Sequence, residues 1–229
     1  MAATTEPLAL TTRPRPEIIA NAVEPERRGW TSWFTTTDHK RIGLMYLGTV
    51  IVFFILGGVE ALLIRTQLAV PDNTLLTPEK YNQVLTMHGT TMIFLVIVPV
   101  WAGFANYLVP LMIGARDVAF PRLNAWSYWM YLFGGLALYA SVFFSPPEAG
   151  WFSYVPLSLK QYTGSNGQEA WIYMVHLTGL SSILGGINFI ATIHNMRAPG
   201  MSWGRMPLFI WTILVYSYLL IAALPAVSR

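Results

Sequence analysis

Residues 42–64 read IGLMYLGTVIVFFILGGVEALLI, a stretch in which Glu60 is the one formally charged side chain. A hydrocarbon core about 30 Å thick is crossed by about 20 apolar residues in helical form. Lipid offers no partner to open backbone N–H and C=O groups, so a helix is the form that satisfies them within one segment. The stretch therefore predicts a membrane-spanning helix, and similar runs follow at 84–108, 125–144, 171–194 and 207–226. The chain is expected to be an all-α integral membrane protein with about five transmembrane helices.

Composition points the same way: 54% of the 229 residues are hydrophobic and 11% are charged, with a mean hydropathy of +0.48. Soluble domains carry about a quarter charged residues. With no cysteine, neither a disulfide framework nor a thiolate metal site is available, and any metal takes nitrogen or oxygen ligands. The net charge of +3 is spread along the chain, which gives no reason to invoke nucleic acid.

The first forty residues are rich in Thr, Pro and Glu and lack the apolar core of a cleavable signal. Residues 1–35 are read as a disordered cytoplasmic tail and 36–229 as one membrane domain. Arg13, Arg15, Arg27, Arg28, Lys40, Arg41, Arg116, Arg122, Arg197 and Arg205 share one side, against Arg65, Lys80, Lys160 and Arg229 on the other. That bias predicts a cytoplasmic N-terminus. Loops 66–83 and 145–168, with their Pro, Gly and Asn, then face outward. The inner loops 113–123 and 197–206 are short, which predicts that consecutive helices lie side by side. Ser181 with Gly185, and Ser182 with Gly186, form small-residue pairs at helical spacing, a packing seam.

Ionisable groups inside a span cost about 2.5–3.5 kcal/mol or more, so each calls for a partner or a task. His88 lies about one turn into the second run, beside Gly89, which leaves room for a flat cofactor. Its imidazole suits a metal or haem iron, or a hydrogen bond to a neighbouring helix. Arg65 ends the first run at the same depth, placed either to snorkel or to meet a cofactor carboxylate or formyl group. His176 is at a similar depth on the fourth run and is not paired with His88. Glu60 is within reach of Arg65 for a loose contact. His39 and His194 are expected to see solvent at the inner interface.

Asn106, Asp117, Asn124 and Ser127 gather at the inner side, and Asn188, Ser181 and Ser182 continue inward along the fourth run, covering about 10 Å at 1.5 Å per residue. Two readings compete: a chain of waters with a carboxylate at its mouth, or ordinary caps, with Asp117 and Asn124 closing helix N-termini.

The motifs TTDHKRIG at 36–43, LIRTQL at 63–68, TMHGTTMIF at 86–94, NYLVP at 106–110, IGARDVAFPRLN at 113–124 and NMRAPGM at 195–201 resemble subunit 1 of the haem-copper terminal oxidases, the cytochrome c oxidase type. They run in family order from Thr36 to Pro225, corresponding to the first five of twelve helices. The resemblance implies that His88 is an axial ligand of the low-spin haem and that Arg65 contacts its periphery. It implies that Tyr81 and Trp151 lie near the haems and their propionates. It further implies that Asp117, Asn106, Asn124, Ser127, Asn188, Ser181, Ser182 and Tyr46 line a proton-uptake path.

Such enzymes take electrons from cytochrome c through a dicopper centre on subunit 2, assemble with subunit 3, and reduce oxygen at a high-spin haem and copper while pumping protons. The bacterial plasma membrane is the implied location and haem a the implied low-spin haem. The remaining ligands belong to later helices, so this chain alone is expected to be inactive, a truncation or one part of a split gene. Gln67 replaces a glutamate that binds calcium or sodium in several relatives, so that ion site is not expected here. A quinol oxidase of the same family is the near alternative, but Leu56, Glu60 and Lys80 stand where quinol-binding residues would be. A haem-free transporter or scaffold would leave His88, Arg65 and the ordered motifs unexplained.

Overall fold

The computed structural model describes residues 29–163 and 166–227. The chain divides between Thr35 and Thr36 into two compact units. In the first, the described residues hold one 3-10 turn, Trp30–Trp33; the rest of the expected tail, residues 1–28, lies outside the described residues. The second is all helix with connecting loops, and no strand occurs among the described residues.

Five long helices carry it: α1 (His39–Gln67), α2 (Pro78–Ile113), α3 (Pro121–Ala140), α4 (Gly167–Asn195) and α5 (Leu208–Val227). Each coincides with one expected run. α1, α2 and α4 are long and apolar enough to cross a membrane; α3 has 20 residues, several of them polar, and α5 contributes the shorter apolar stretch Leu208–Leu224. The ends follow local chemistry. The Asp38 carboxylate accepts the Lys40 N–H (2.9 Å) to cap α1. Thr77 caps α2 through the Lys80 N–H, with Pro78 at the first helical position. α2 stops at Gly114, whose φ of 73° is left-handed, and the Ala115 N–H returns to the Pro110 carbonyl (2.8 Å).

Two prolines inside α2 shape the bundle. A helical proline offers no N–H to the carbonyl one turn earlier and crowds it with its ring. Before Pro99 the helix widens into a π segment, Thr91–Ile97, and the Leu95 carbonyl accepts the Tyr131 hydroxyl from α3 (2.8 Å). Below Pro110 the Asn106 carbonyl accepts His39 Nδ1–H from α1 (2.8 Å). Each proline thus hands an interior acceptor to a neighbouring helix.

α1 and α2 approach so closely that a Cβ on Gly43 would lie 2.9 Å from the Gly103 carbonyl and 3.0 Å from the Tyr107 nitrogen. α3 packs along α4, where Gly134 meets Leu177 and Thr178, while Gly135 accommodates the Phe53 ring of α1. The core across α1–α4 holds Tyr46, Phe53, Leu95, Tyr131, Leu138 and Met174, with Tyr46 and Tyr131 stacked at 5.2 Å. A second cluster joins α2, α4 and α5 through Val109, Ile113, Ile193, Ile210 and Ile213.

One expectation about neighbours fails. Despite its short loop, α3 meets α2 mainly around the π segment and lies instead along α4. The loop is not a tight turn but is strapped to α4: Asn188 Oδ1 accepts the Phe120 N–H (2.8 Å), its amide donates to the Phe120 carbonyl (3.3 Å), and Thr192 Oγ1 accepts the Ala119 N–H (2.8 Å). The small-residue seam on α4 is also split. Gly186 faces Ser217 and Ile221 of α5, whereas Gly185 opens onto empty space.

Candidate functional site

At the Arg65 end, His88 is half-buried on α2, and its Nδ1–H donates to the Gly57 carbonyl of α1 at 2.9 Å. A ring fixed in this way presents Nε2 as the nitrogen left for a ligand, the arrangement by which carbonyl partners orient metal-binding imidazoles. The room expected for a flat cofactor beside Gly89 is filled by Trp151, since a Cβ on Gly89 would sit 3.0 Å from Trp151 Cδ1. Trp151 is itself 44% exposed, so its ring covers Gly89 and still borders open space. Its loop is tied to α2 by the Gly150 N–H on Thr86 Oγ1 (2.9 Å). Tyr81 is half-buried near the start of α2, and Arg65 is exposed at the end of α1. Gly58, beside the carbonyl that holds His88, faces open space as well. A flat group such as haem could be held here through His88 Nε2, the ring nitrogen that the Gly57 carbonyl leaves free.

Glu60 is not matched to Arg65. It accepts the Tyr139 hydroxyl of α3 at 3.2 Å, and Tyr139 in turn meets Thr91 Oγ1 at 2.9 Å. His176 is exposed and bonded to its own helix at the Ile172 carbonyl (2.8 Å), which agrees with leaving it unpaired with His88. Gln67 braces its loop: its side-chain N–H donates to the Asn73 carbonyl and its Oε1 accepts the Leu76 N–H.

At the opposite end, Asp117 lies in the loop between α2 and α3, where Oδ1 accepts the Val118 N–H (2.7 Å). Burial raises its carboxyl above the ordinary value, opposed by the Val118 N–H and the nearby His39. His39 is where the sequence reading fails outright: it is 1% exposed, not solvated. The carbonyl freed by Pro110 draws its ring inward, and Nε2 is buried without a hydrogen-bond partner among the described residues. Asn124 is no cap either. α3 begins at Pro121, so Asn124 sits in its first turn, with both amide atoms buried and unpartnered among the described residues. Asn106 Oδ1 is in the same state, while its Nδ2 donates to the Ala102 carbonyl (2.8 Å). Buried amides left unpaired cost about 1–3 kcal/mol each, and sites that hold water relieve that cost.

Deeper in, three side chains from three helices converge. Tyr46 Oη lies 3.0 Å from Ser127 Oγ and 3.3 Å from Ser181 Oγ, and Ser181 also donates to the Ser127 carbonyl (2.6 Å). These three, with Asn106 and Ser182, border a partly open cavity of about 40 Å³ that reaches Ser217 and Tyr216 of α5. The Ser182 hydroxyl donates to the Thr178 carbonyl of its own helix (2.9 Å). Asn188 does not border that space, because both ends of its amide are taken by Phe120. Thr192 was overlooked in the sequence and shares this clamp; its position one turn after Asn188 was the available signal. The buried His39 was also foreshadowed, by Pro110 standing four residues after Asn106.

Residues 41–228 match the family described as Cytochrome C and Quinol oxidase polypeptide I. Over 203 residues the chain is 51% identical to cytochrome c oxidase subunit 1 of Synechocystis sp., covering 88% of this chain and 36% of that protein. It is 48% identical to cytochrome c oxidase subunit 1 of Bacillus subtilis over 214 residues, 92% of this chain and 34% of the relative. With the Thermostichus vulcanus subunit it shares 48% identity over 206 residues, 89% of this chain and 37% of the relative. The chain spans about a third of the length of the curated relatives it matches. With helical architecture, motifs and similarity in agreement, it is an integral membrane protein that belongs to the cytochrome c and quinol oxidase polypeptide I family.

Proposed function

We propose that this chain serves in a respiratory haem-copper terminal oxidase that passes electrons from cytochrome c to oxygen and couples the reaction to proton pumping. In this reading His88 would hold the low-spin haem, taken as haem a, through its free imidazole nitrogen. The single observation that carries it is the His88 Nδ1–H bond to the Gly57 carbonyl, which orients Nε2 for a ligand and fixes the tautomer. When bound, the haem accepts and passes on one electron at a time. Arg65 supplies a guanidinium for its periphery, and Tyr81 and Trp151 border it, Trp151 over Gly89.

Protons enter at Asp117, whose loop is held by Asn188 and Thr192. They pass by way of Asn124 and Asn106, whose buried amide atoms keep unused hydrogen-bonding capacity among the described residues, and reach the Tyr46, Ser127 and Ser181 hub beside Ser182. Hydroxyls accept and donate at once, which suits them to hand protons on. The complex would contain a dicopper subunit 2, subunit 3, and a high-spin haem and copper, with this chain contributing part of the machinery. The N-terminus and Asp117 face the cytoplasm of a bacterial plasma membrane. Cytochrome c is preferred to quinol as donor because Leu56, Glu60 and Lys80 depart from the quinol-site pattern.

The test is the reduced-minus-oxidised visible spectrum of the assembled oxidase. His88→Ala is expected to remove the low-spin haem band; an unchanged band would refute the assignment.

A further inference from the structure

Gly57 and Glu60 are three residues apart on α1 and therefore share a face. That face meets α2 where the helix widens: a Cβ on Gly57 would lie 2.9 Å from Met92 Sδ and 3.3 Å from Thr91 Cγ2. Gly57 gives its carbonyl to His88. Glu60 reaches the same stretch of α2 indirectly, through Tyr139 and then Thr91, the first residue of the π segment and three positions beyond His88.

We propose that Glu60, Tyr139 and Thr91 form a positioning relay for His88, joining α1, α3 and the start of the π segment; this rests on the haem-ligand reading above. The Tyr139 hydroxyl spends its single proton on Glu60 Oε1 and so takes the Thr91 hydroxyl proton on its own oxygen. The relay thus has a direction, from Thr91 to Tyr139 to Glu60. The Tyr139 ring is steadied by Phe53, stacked at 5.5 Å and 23°. Glu60 Oε2 is buried with no partner among the described residues, so the Tyr139 bond is the one described contact that orients this carboxylate.

Mechanically, the relay fixes the residue at which α2 leaves regular helical winding. A π segment turns all that follows it relative to all that precedes it. Its starting point therefore sets how the backbone carrying His88, one turn earlier, is turned toward the Gly57 carbonyl of α1. The Gly57 carbonyl holds the ring itself; the relay holds the backbone that carries the ring. Outer partners of this kind govern ligand orientation and the electronic state of a bound iron.

The experiment uses the assembled oxidase and reads the low-spin haem by electron paramagnetic resonance and redox titration, with haem content measured in parallel. Tyr139→Phe and Thr91→Val, the latter close in shape, are expected to shift or broaden the low-spin signal and move the haem midpoint potential while haem content stays native. Glu60→Leu should behave like Tyr139→Phe, whereas Glu60→Gln, which keeps an accepting oxygen, should restore the native signal. Native signal and potential in both Thr91→Val and Tyr139→Phe would overturn the relay. If either fails to assemble, the other carries the measurement, and loss of assembly in both would overturn a role confined to positioning. His88→Ala separates the two readings: a low-spin signal that survives it removes the haem assignment, while its loss beside native signals in the relay variants removes the relay alone.

Discussion

The two ends of the bundle solve the problem of buried polar groups in opposite ways. At the Arg65 end, His88, Tyr139, Thr91 and one Glu60 oxygen are joined to named partners across helices, and Glu60 Oε2 alone is left buried without one among the described residues. At the Asp117 end, His39 Nε2, Asn106 Oδ1 and both amide atoms of Asn124 are buried without partners among the described residues. The first arrangement fixes geometry, as a ligand for a rigid group requires. The second leaves hydrogen-bonding capacity open, as a path for mobile protons requires.

Substitutions should therefore divide by the end they touch. The largest effect is expected for Asp117→Asn in the full-length enzyme: slowed turnover and loss of proton pumping, with normal haem spectra. A native proton-to-electron ratio in that variant would break the contrast. Gly43→Ala tests the tight helix pair, because its Cβ would meet backbone atoms that cannot swing aside. A loss of about 1–3 kcal/mol in stability is expected, measured by thermal unfolding in detergent. Asn124→Leu should sharpen the comparison. It removes two unpaired polar atoms from a buried site, so stability is expected to hold or rise while proton uptake in stopped-flow measurements falls. A clear loss of stability would mean that the Asn124 amide is structurally engaged.

The smallest effect concerns pH. Burial lifts the folded Asp117 carboxyl above its ordinary value of 3.8. Its contribution to stability is thus fully present below the unfolded value and is lost as pH rises through the folded one. Asp117→Asn should flatten that part of the pH–stability curve, and an unchanged curve would show that the loop carboxyl is fully solvated.

Helix number and order were legible in the sequence because spanning runs are set by local composition. The ends were less so: α1 and α2 extend beyond their apolar runs because Asp38, Thr77 and Pro78 provide starts outside the hydrophobic segment. The neighbours of α3 were misread from the shortness of its loop, since the bonds of Asn188 and Thr192 to that loop arise between distant segments. For the same reason His39 was taken as solvated and Glu60 as a partner of Arg65. His88 stood out because a histidine in a spanning run is costly, whereas Tyr139 and Thr91 carried no such signal: a tyrosine and a threonine are ordinary there until α1 and α3 are brought together.

The prolines of α2 carry a further consequence. Interior helix carbonyls normally serve their own strand of chain and are closed to outsiders. Pro99 and Pro110 open one each, and Tyr131 and His39 occupy them. Sliding either neighbour by one residue would take the donor away from the opened oxygen, so the prolines act as detents that lock three helices against axial slippage. Replacing one with alanine would close the vacancy from within, straighten α2, and leave a tyrosine or a histidine without its anchorage.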